Sequence, residues 1–293
     1  MATKSSAANH SSSALASASK EKLRRLARGA RGGLVTTVRA AALLRLPAAE
    51  ASATLGRLVR QGWLVRVRRG LYLVLPLEAG REGGTVEDPW VFARELFAPC
   101  YIGGWTAAEH WGLTEQLFRS TFVVTAATIR HAAETFLGTE FHLVRAKRSR
   151  VENVRPIWRG RERIAVSDRE RTIADALASP DWVGGIRHLA EILNSYHSAK
   201  DWNPNRLLAR AGEVGSGAAF KRLGYLAETV LGGEPALVAA ARAHLTAGIV
   251  KLDPAVRERG RLSKRWGLWL NVGLNASPAD RSEEHTSELQ SPY

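Results

Sequence analysis

The chain has 293 residues, a formal net charge of +14, 45% hydrophobic residues and a single cysteine. This length and apolar content can supply the cores of two domains, which excludes a chain that is disordered throughout. One cysteine excludes an internal disulfide framework and a cysteine-built zinc site. Because the sequence has neither an apolar run long enough to cross a bilayer nor the apolar core of a signal peptide, we expect a cytoplasmic protein that does not associate with membranes.

The positive charge is concentrated near the N-terminus. Residues 20–75 contain 13 Lys and Arg against two acidic residues, a balance of +11, whereas the other 237 residues carry only +3. Such a distribution is typical of a domain that binds nucleic acid. The aromatic residues are scattered rather than gathered on strands, and the basic segment 20–31 has only a thin apolar face. Duplex DNA is therefore favoured over RNA and over an anionic membrane surface.

The first elements in chain order are a tail and a basic helix. Residues 1–19 are rich in Ser and Ala, which predicts a disordered tail. Residues 20–31 are predicted to form a helix with Leu23 and Ala27 facing inward, ended by Gly32 and Gly33.

A helix-turn-helix pair is predicted next. Thr37 can cap a helix from Val38 to Leu44, and the break at Leu46 and Pro47 is short enough to set a second helix at an angle. The second helix, residues 48–62, has one apolar stripe formed by Ala51, Leu55, Leu58 and Val59. At 100° per residue, the residues assigned to the opposite, outward face are Glu50, Ala53, Thr54, Arg57, Arg60 and Gln61.

A hairpin is predicted after the second helix. Two apolar strands flank Arg68, Arg69 and Gly70, and Gly70 suits the left-handed position of a three-residue loop. The whole pattern predicts a winged helix-turn-helix over residues 20–80, with the hairpin as the wing. The predicted DNA contacts are Thr37, Arg39, Ala53, Thr54, Arg57, Arg60, Arg66, Arg68 and Arg69. The alternative is a packing module whose arginines serve solubility.

A larger mixed α/β domain is predicted over residues 85–280, after a Gly-rich polar linker at residues 78–87. Asp88 and Pro89 are typical of a helix start, and the sequence Ser167-Asp168-Arg169-Glu170 predicts a capping box. Glu170 is thereby assigned to the cap, and Asp175 to an ion pair with Arg171 or Arg169. Other predicted helices cover residues 90–97, 106–111, 185–196, 204–211, 218–231 and 235–246, and predicted strands cover residues 121–125, 141–144 and 266–272.

Two segments of this second part are interpreted by their composition. Arg145, Lys147, Arg148 and Arg150 form a second basic run, which either extends the DNA footprint or is a solvated loop. Residues 281–291, RSEEHTSELQS, match the translation of a common sequencing adapter, so residues 281–293 are excluded from the fold. Because that segment holds one Arg and three Glu, removing it raises the net charge from +14 to +16.

No pattern of catalytic residues is present. The sequence contains no phosphate-binding loop, no G-x-S-x-G elbow, no E-x-K nuclease lysine and no paired-histidine metal motif. We therefore expect no catalytic residues, no metal site, no cofactor and no enzymatic activity.

Several blocks resemble the AbiEi antitoxins of type IV toxin-antitoxin systems, known from abortive infection. They are GWLVRVRRGLYLVLP from Gly62, GWTAAEHWGL from Gly104, VSDRERTIADALASPDWVGG from Val166, KRLGYLAE from Lys221, and KLDP with RWGLWLNV near the end, so the resemblance covers about residues 20–272. It implies an α+β chain with an N-terminal winged helix-turn-helix and an antitoxin domain. It also implies repression of the chain's own operon and indirect opposition to a nucleotidyltransferase-like toxin without a stable complex. Separately, symmetric reading of DNA by a helix-turn-helix predicts that two copies bind inverted repeats in the operator.

Three functions from different classes remain after the sequence analysis. The first is an autoregulating DNA-binding antitoxin, the second is a winged-helix transcription regulator whose second domain senses a ligand or partner, and the third is an enzyme targeted to DNA. A deep apolar pocket in the second domain would favour the second function.

Overall fold

The structure is a computed structural model that describes residues 19–75 and 88–274. The predicted tail up to residue 18, the predicted linker and the adapter-like segment lie outside the described residues. The described chain is a mixed α+β protein with several helices and several small sheets. It forms two compact units: the first contains the described residues up to Cys100 with Thr125–Arg145 and Ile157–Ile164, and the second contains the rest.

The first unit begins with three helices and a three-stranded sheet. The order is α1 (residues 19–29), β1 (Leu34–Thr36), α2 (Thr37–Leu44), α3 (Ala48–Arg60), β2 (Leu64–Arg68) and β3 (Leu71–Val74). Strand β3 lies in the centre and pairs antiparallel with both β1 and β2. The helices and the hairpin were predicted, whereas β1 was not.

These elements share one apolar core. Leu23 and Leu26 of α1 are buried, so Leu26 takes the inward place that the sequence analysis gave to Ala27, which is exposed. The correction follows from helical geometry, since positions i and i+3 lie on one face. The other buried members are Val35, Ala40, Leu44, Leu55, Leu58, Leu64, Tyr72 and Val74.

Another part of the first unit packs around aromatic rings. Helix α4 (Pro89–Phe97) starts as predicted, with the Asp88 carboxylate accepting a hydrogen bond from the backbone N–H of Trp90 at 2.9 Å. The unit also contains hairpin strands β6 (Ala133–Phe136) and β7 (Thr139–Arg145), and the pair β8 (Pro156–Arg159) and β9 (Glu162–Ala165). The clustered rings are Phe92, Phe97, Phe136 and Phe141.

The second unit is mainly helical. Its elements are β4 (Cys100–Ile102), α5 (Gly104–His110), β5 (Thr121–Thr125), α6 (Arg148–Glu152), α7 (Arg169–Ala178), a 3-10 helix (Pro180–Val183), α8 (Ile186–His197), α9 (Pro204–Val214), α10 (Gly217–Thr229), α11 (Pro235–Ala243), β10 (Val250–Lys251), β11 (Arg261–Ser263) and β12 (Leu268–Leu270). Strand β12 pairs parallel with β10 and antiparallel with β11. Within the described ranges, no helix has the length and apolar character needed to cross a bilayer.

The start of α7 differs from the predicted capping box. Asp168 is the N-cap and its carboxylate accepts a hydrogen bond from the N–H of Arg171 at 2.8 Å, whereas Ser167 is buried and contacts the Thr172 hydroxyl. Glu170 is also buried and accepts a hydrogen bond from the Tyr196 hydroxyl at 2.6 Å. The assignment of Glu170 to the cap was therefore wrong, because Asp168 caps the helix and Glu170 is turned into the unit.

Arg222 of α10 ties several segments of the second unit together. Its guanidinium is 2% exposed and donates hydrogen bonds to four backbone carbonyls, those of Leu177, Ala178, Lys251 and Leu252, at 2.8 to 3.0 Å. Burial lowers the pKa of Arg222 to about 10, although the charge of Asp253 opposes that shift. The carbonyls at the end of α7 are a favourable site for a cation, because a helix C-terminus carries partial negative charge.

A close approach between α10 and Trp266 requires glycine at position 224. A Cβ built at Gly224 would overlap the indole ring of Trp266, which is 1% exposed. We expect Gly224→Ala to lower the free energy of unfolding by about 1 to 3 kcal/mol, because a packed core cannot take in an extra methyl group without strain. Urea denaturation followed by circular dichroism measures this.

Gly212 in α9 provides the matched control, since a Cβ there would meet nothing within 4 Å. Gly212→Ala should raise the free energy of unfolding by about 0.4 to 1 kcal/mol through reduced freedom of the unfolded chain. Equal effects of the two substitutions would contradict the packing described for Trp266.

Candidate nucleic-acid interface

The outward face of α3 carries positive charge. Ala51, Leu55 and Leu58 are buried, as predicted, and on the other side of the helix Arg57 and Arg60 are exposed together with Ala53. Thr54 was predicted to face outward, but its residue is only 7% exposed and belongs to the buried side. Arg57 and Arg60 are therefore the cations that α3 presents, and Glu50 in its first turn is an exposed acidic residue.

The hairpin that follows α3 carries three further exposed arginines, Arg66, Arg68 and Arg69. Arg66 lies on β2 opposite Tyr72, and Arg69 lies in the turn beside Gly70, whose φ of +77° is the left-handed conformation that the sequence predicted. The turn has two residues rather than three, because Arg68 still pairs with Leu71 after a register shift between Arg66 and Arg68. The tip of the hairpin is thus Arg69 and Gly70.

Arg68 has a structural partner. Its guanidinium donates to the backbone carbonyl of Leu96 at 2.6 Å and to that of Glu95 at 3.2 Å, both in the last turn of α4. A cation in this place satisfies carbonyls that have no partner within the helix. The predicted role of Arg68 as a DNA contact stays a prediction, but its side chain is already engaged within the first unit.

The first turn of α2 is arranged differently from the prediction. The cap is Thr36, whose hydroxyl accepts a hydrogen bond from the N–H of Arg39 at 3.1 Å, so the assignment of the cap to Thr37 was wrong. The backbone N–H of Thr37 instead donates to the carbonyl of Gly70 at 3.0 Å. This bond fastens the hairpin turn to the start of α2, and Arg39 in turn donates through Nε to the carbonyl of Gly29 in α1.

Four arginines of the predicted set are therefore exposed without an internal partner. Among the described residues, they form no ion pair with a carboxylate; the ion pair within 19–75 joins Arg25 and Glu21. They occupy a helix face and a hairpin that follow one another in the chain and share one core. We call this set the arginine face: Arg57, Arg60, Arg66 and Arg69.

Two of the four residues of the second basic run, Arg148 and Arg150, form ion pairs inside the second unit. Arg148 forms an ion pair with Glu152, and Arg150 donates to the carboxylate of Asp175 at 2.6 Å. Asp175 also accepts from Arg171, as predicted, and from the Tyr101 hydroxyl. Burial and the charge of Asp175 raise the pKa of Tyr101 well above its ordinary value. The partnership of Arg150 and Tyr101 with Asp175 could not be predicted, because the three residues are far apart in sequence.

The described residues contain no group of three or more His, Cys, Asp and Glu side chains that could hold a metal ion.

A large apolar side chain is exposed on the first unit: Val38, in the first turn of α2, is 79% exposed. The sequence analysis missed it, because a valine in an amphipathic helix usually belongs to the core.

Cys100 is a poor nucleophile in the folded chain. Its thiol contacts the carbonyl of Ala93 at 3.6 Å, and burial raises the pKa of Cys100 to about 12 because the thiolate would lose its hydration. At pH 8 only about 10⁻⁴ of the thiol would be ionised, against about a quarter for a free thiol. We expect iodoacetamide to modify Cys100 of the native protein at least about a hundredfold more slowly than it modifies glutathione. The rate for the protein should rise about tenfold for each unit of pH, because the thiolate fraction does.

Mass spectrometry gives this rate directly, since the chain has one cysteine and so one product. The denatured protein is the control and should react like glutathione. Modification of the native protein at that same rate would show that Cys100 is not held as described.

Comparison with solved structures shows that the fold is similar to that of a known protein. The Rv2827c protein from Mycobacterium tuberculosis, known from a crystal structure, matches with a TM-score of 0.54 and 18% sequence identity, over 80% of this chain and 85% of that one. No protein-family model matches the chain, and neither does any curated protein sequence. The similarity shows a shared α+β fold that extends over both units.

Proposed function

We propose that the chain is a DNA-binding antitoxin that represses its own operon. In this proposal residues 19–74 form a winged helix-turn-helix, with α3 entering the major groove and the β2–β3 hairpin resting on the phosphate backbone. The observation that carries the proposal is the arginine face. Its four cations form no ion pair with any described carboxylate, and they lie first on the helix and then on the wing. Phosphates supply a counter-charge, and binding releases their counterions.

The assignment as an antitoxin rests on the sequence blocks shared with the AbiEi antitoxins. The Rv2827c similarity supports only the fold, because the identity is 18%. On this proposal two copies bind inverted half-sites, and the toxin, a nucleotidyltransferase-like protein, is opposed without a stable complex. No catalytic step by this chain is involved, and the chain acts on duplex DNA in the cytoplasm.

A promoter reporter tests the proposal. The region upstream of the gene, fused to a reporter, should lose expression when the protein is supplied in trans and recover it with Arg57→Ala. Co-expression with the product of the neighbouring toxin gene should restore growth even when the two proteins do not co-purify. If the reporter ignores the protein and growth is not rescued, the antitoxin proposal fails.

A second candidate function is a winged-helix transcription regulator that senses a small ligand. The observation in its favour is a cavity of about 460 Å³ in the second unit. The co-expression test separates the two functions. A ligand-sensing regulator would repress or activate transcription, but it would not rescue growth from the product of the neighbouring toxin gene.

A further inference from the structure

The cavity of the second unit lies among α10, the loop that follows α11, and the turn between β11 and β12. Its volume of about 460 Å³ falls in the range of small-molecule sites. The lining side chains that matter below are Lys221, Thr246, Ile249, Lys264, Arg265 and Trp266.

The charged side chains that line the cavity are all positive, and Glu228, outside the lining, pairs with Arg265 and accepts a hydrogen bond from the Trp266 indole. Lys221 is 2% exposed and its Nζ donates to the carbonyl of Gly248 at 2.6 Å, but it has no carboxylate partner among the described residues. Lys264 is exposed and likewise has no carboxylate partner in the described part of the chain, while Arg265 is paired with Glu228. No acidic side chain of the described residues lines the cavity. Burying an ammonium without a counter-charge is costly, so an anion in this cavity would be stabilised.

The remaining walls are apolar. Leu245, Ile249 and Leu262 line the cavity together with the ring of Trp266, and Ile249 is 50% exposed although it is a large aliphatic side chain. Apolar walls of this kind bind the organic part of a ligand, while a few charged groups fix its orientation. A bare inorganic ion would leave these walls in contact with water.

We propose that this cavity binds a small phosphate monoester, with its phosphate against Lys221 and Lys264 and its organic part against Ile249 and Trp266. Lys221 has one N–H donor left for a ligand, since an ammonium has three and two are used by the carbonyls of Gly248 and, at 3.5 Å, Ala247. The Thr246 hydroxyl, which also lines the cavity, adds a further donor. Burial lowers the pKa of Lys221 from its ordinary value, and the charge of a bound phosphate would oppose that shift.

Isothermal titration calorimetry on the full-length protein tests the site, with AMP, inorganic phosphate and adenosine as probes and no DNA present. AMP should bind more tightly than either of its parts, because it uses both the cations and the apolar walls. Lys264→Gln should weaken AMP binding by about fivefold, the loss expected for one solvent-accessible charged contact. Ile249→Glu should weaken it by more than about tenfold, since a carboxylate would replace an apolar contact with the organic part and bring a negative charge into the cavity that holds the phosphate.

Both substitutions replace exposed side chains, so folding is retained and thermal denaturation checks it. Lys200→Gln is the matched control, because Lys200 is an exposed lysine of the same unit that does not line the cavity. It should leave AMP binding unchanged. Inorganic phosphate binding as tightly as AMP would contradict the proposal, because the apolar walls would then add nothing to the affinity for the ligand.

Three other results would overturn the proposal: no binding of AMP or phosphate at millimolar concentration, equal binding by all three variants, or a preference for a single-stranded oligonucleotide over AMP. None of these results bears on the arginine face of the first unit. Conversely, loss of DNA binding by Arg57→Ala leaves the AMP titration unchanged, so the two proposals fail separately.

Discussion

Arg57→Ala is expected to remove the preference of the protein for its own operator over random DNA. Arg57 is exposed on the first unit's α3, opposite the buried Ala51, Leu55 and Leu58. A bidentate contact between an arginine and a guanine contributes about 1 to 3 kcal/mol of discrimination, which corresponds to a 5- to 150-fold loss of operator affinity. Affinity for random DNA should change much less, because phosphate contacts dominate it.

Arg69→Ala should give the opposite pattern. Arg69 lies at the hairpin turn, where a phosphate contact carries no sequence information. Its loss should weaken operator and random DNA alike and lower the slope of log Kd against log salt by about 1. Fluorescence anisotropy with both DNAs, at several salt concentrations, measures the two variants.

Arg68→Ala is the matched control for lost charge on the hairpin. Because Arg68 donates to carbonyls of α4, its replacement should lower the stability of the first unit more than it lowers DNA affinity. Equal losses for Arg57→Ala on operator and random DNA would show that α3 does not read the bases.

Asp175→Ala is expected to lower the free energy of unfolding by about 3 to 5 kcal/mol, the usual cost of removing one partner from a buried ion pair. The Asp175 side chain is 2% exposed and accepts hydrogen bonds from Arg150 at 2.6 Å, Arg171 at 2.9 Å and the Tyr101 hydroxyl at 2.7 Å. Nε of Arg150 and a terminal nitrogen of Arg171 already lack a partner among the described residues. Without Asp175, the ion pair left to Arg171 among the described residues is a longer one, to the partly exposed Glu213 at 3.7 Å.

Asp201→Ala provides the comparison, because Asp201 also pairs with an arginine, Arg169, but its side chain is 60% exposed. An exposed pair contributes at most about 1 kcal/mol, so this substitution should cost far less. Guanidinium denaturation of both variants measures the difference. Similar losses in the two variants would mean that Asp175 is not a buried partner of both arginines.

The sequence was sufficient for elements with strong local signals. The apolar stripe of α3 and the Asp88-Pro89 start of α4 are local, and the structure has both. Strands β1, β8 and β11 were missed because three or four residues cannot establish an alternating pattern.

Thr54 shows a different kind of error. At 100° per residue it lies roughly 60° from Ala51, well within the width of a buried face. The prediction nevertheless placed Thr54 on the outward face, because its side chain is polar. The buried charges Glu170, Lys221 and Arg222 were missed for a related reason, since charged residues in helices are usually exposed and their distant partners leave no local trace.

The hydrogen bonds of Arg222 do not depend on which amino acids supply the acceptors. All four acceptors are main-chain carbonyls, which every amino acid provides, so residues 177, 178, 251 and 252 can change side chain without losing a bond to the guanidinium. Only position 222 requires a particular amino acid, because a lysine lacks the planar fork that reaches several acceptors at once. The second unit can thus diversify along α7 and β10 while one residue keeps their ends joined.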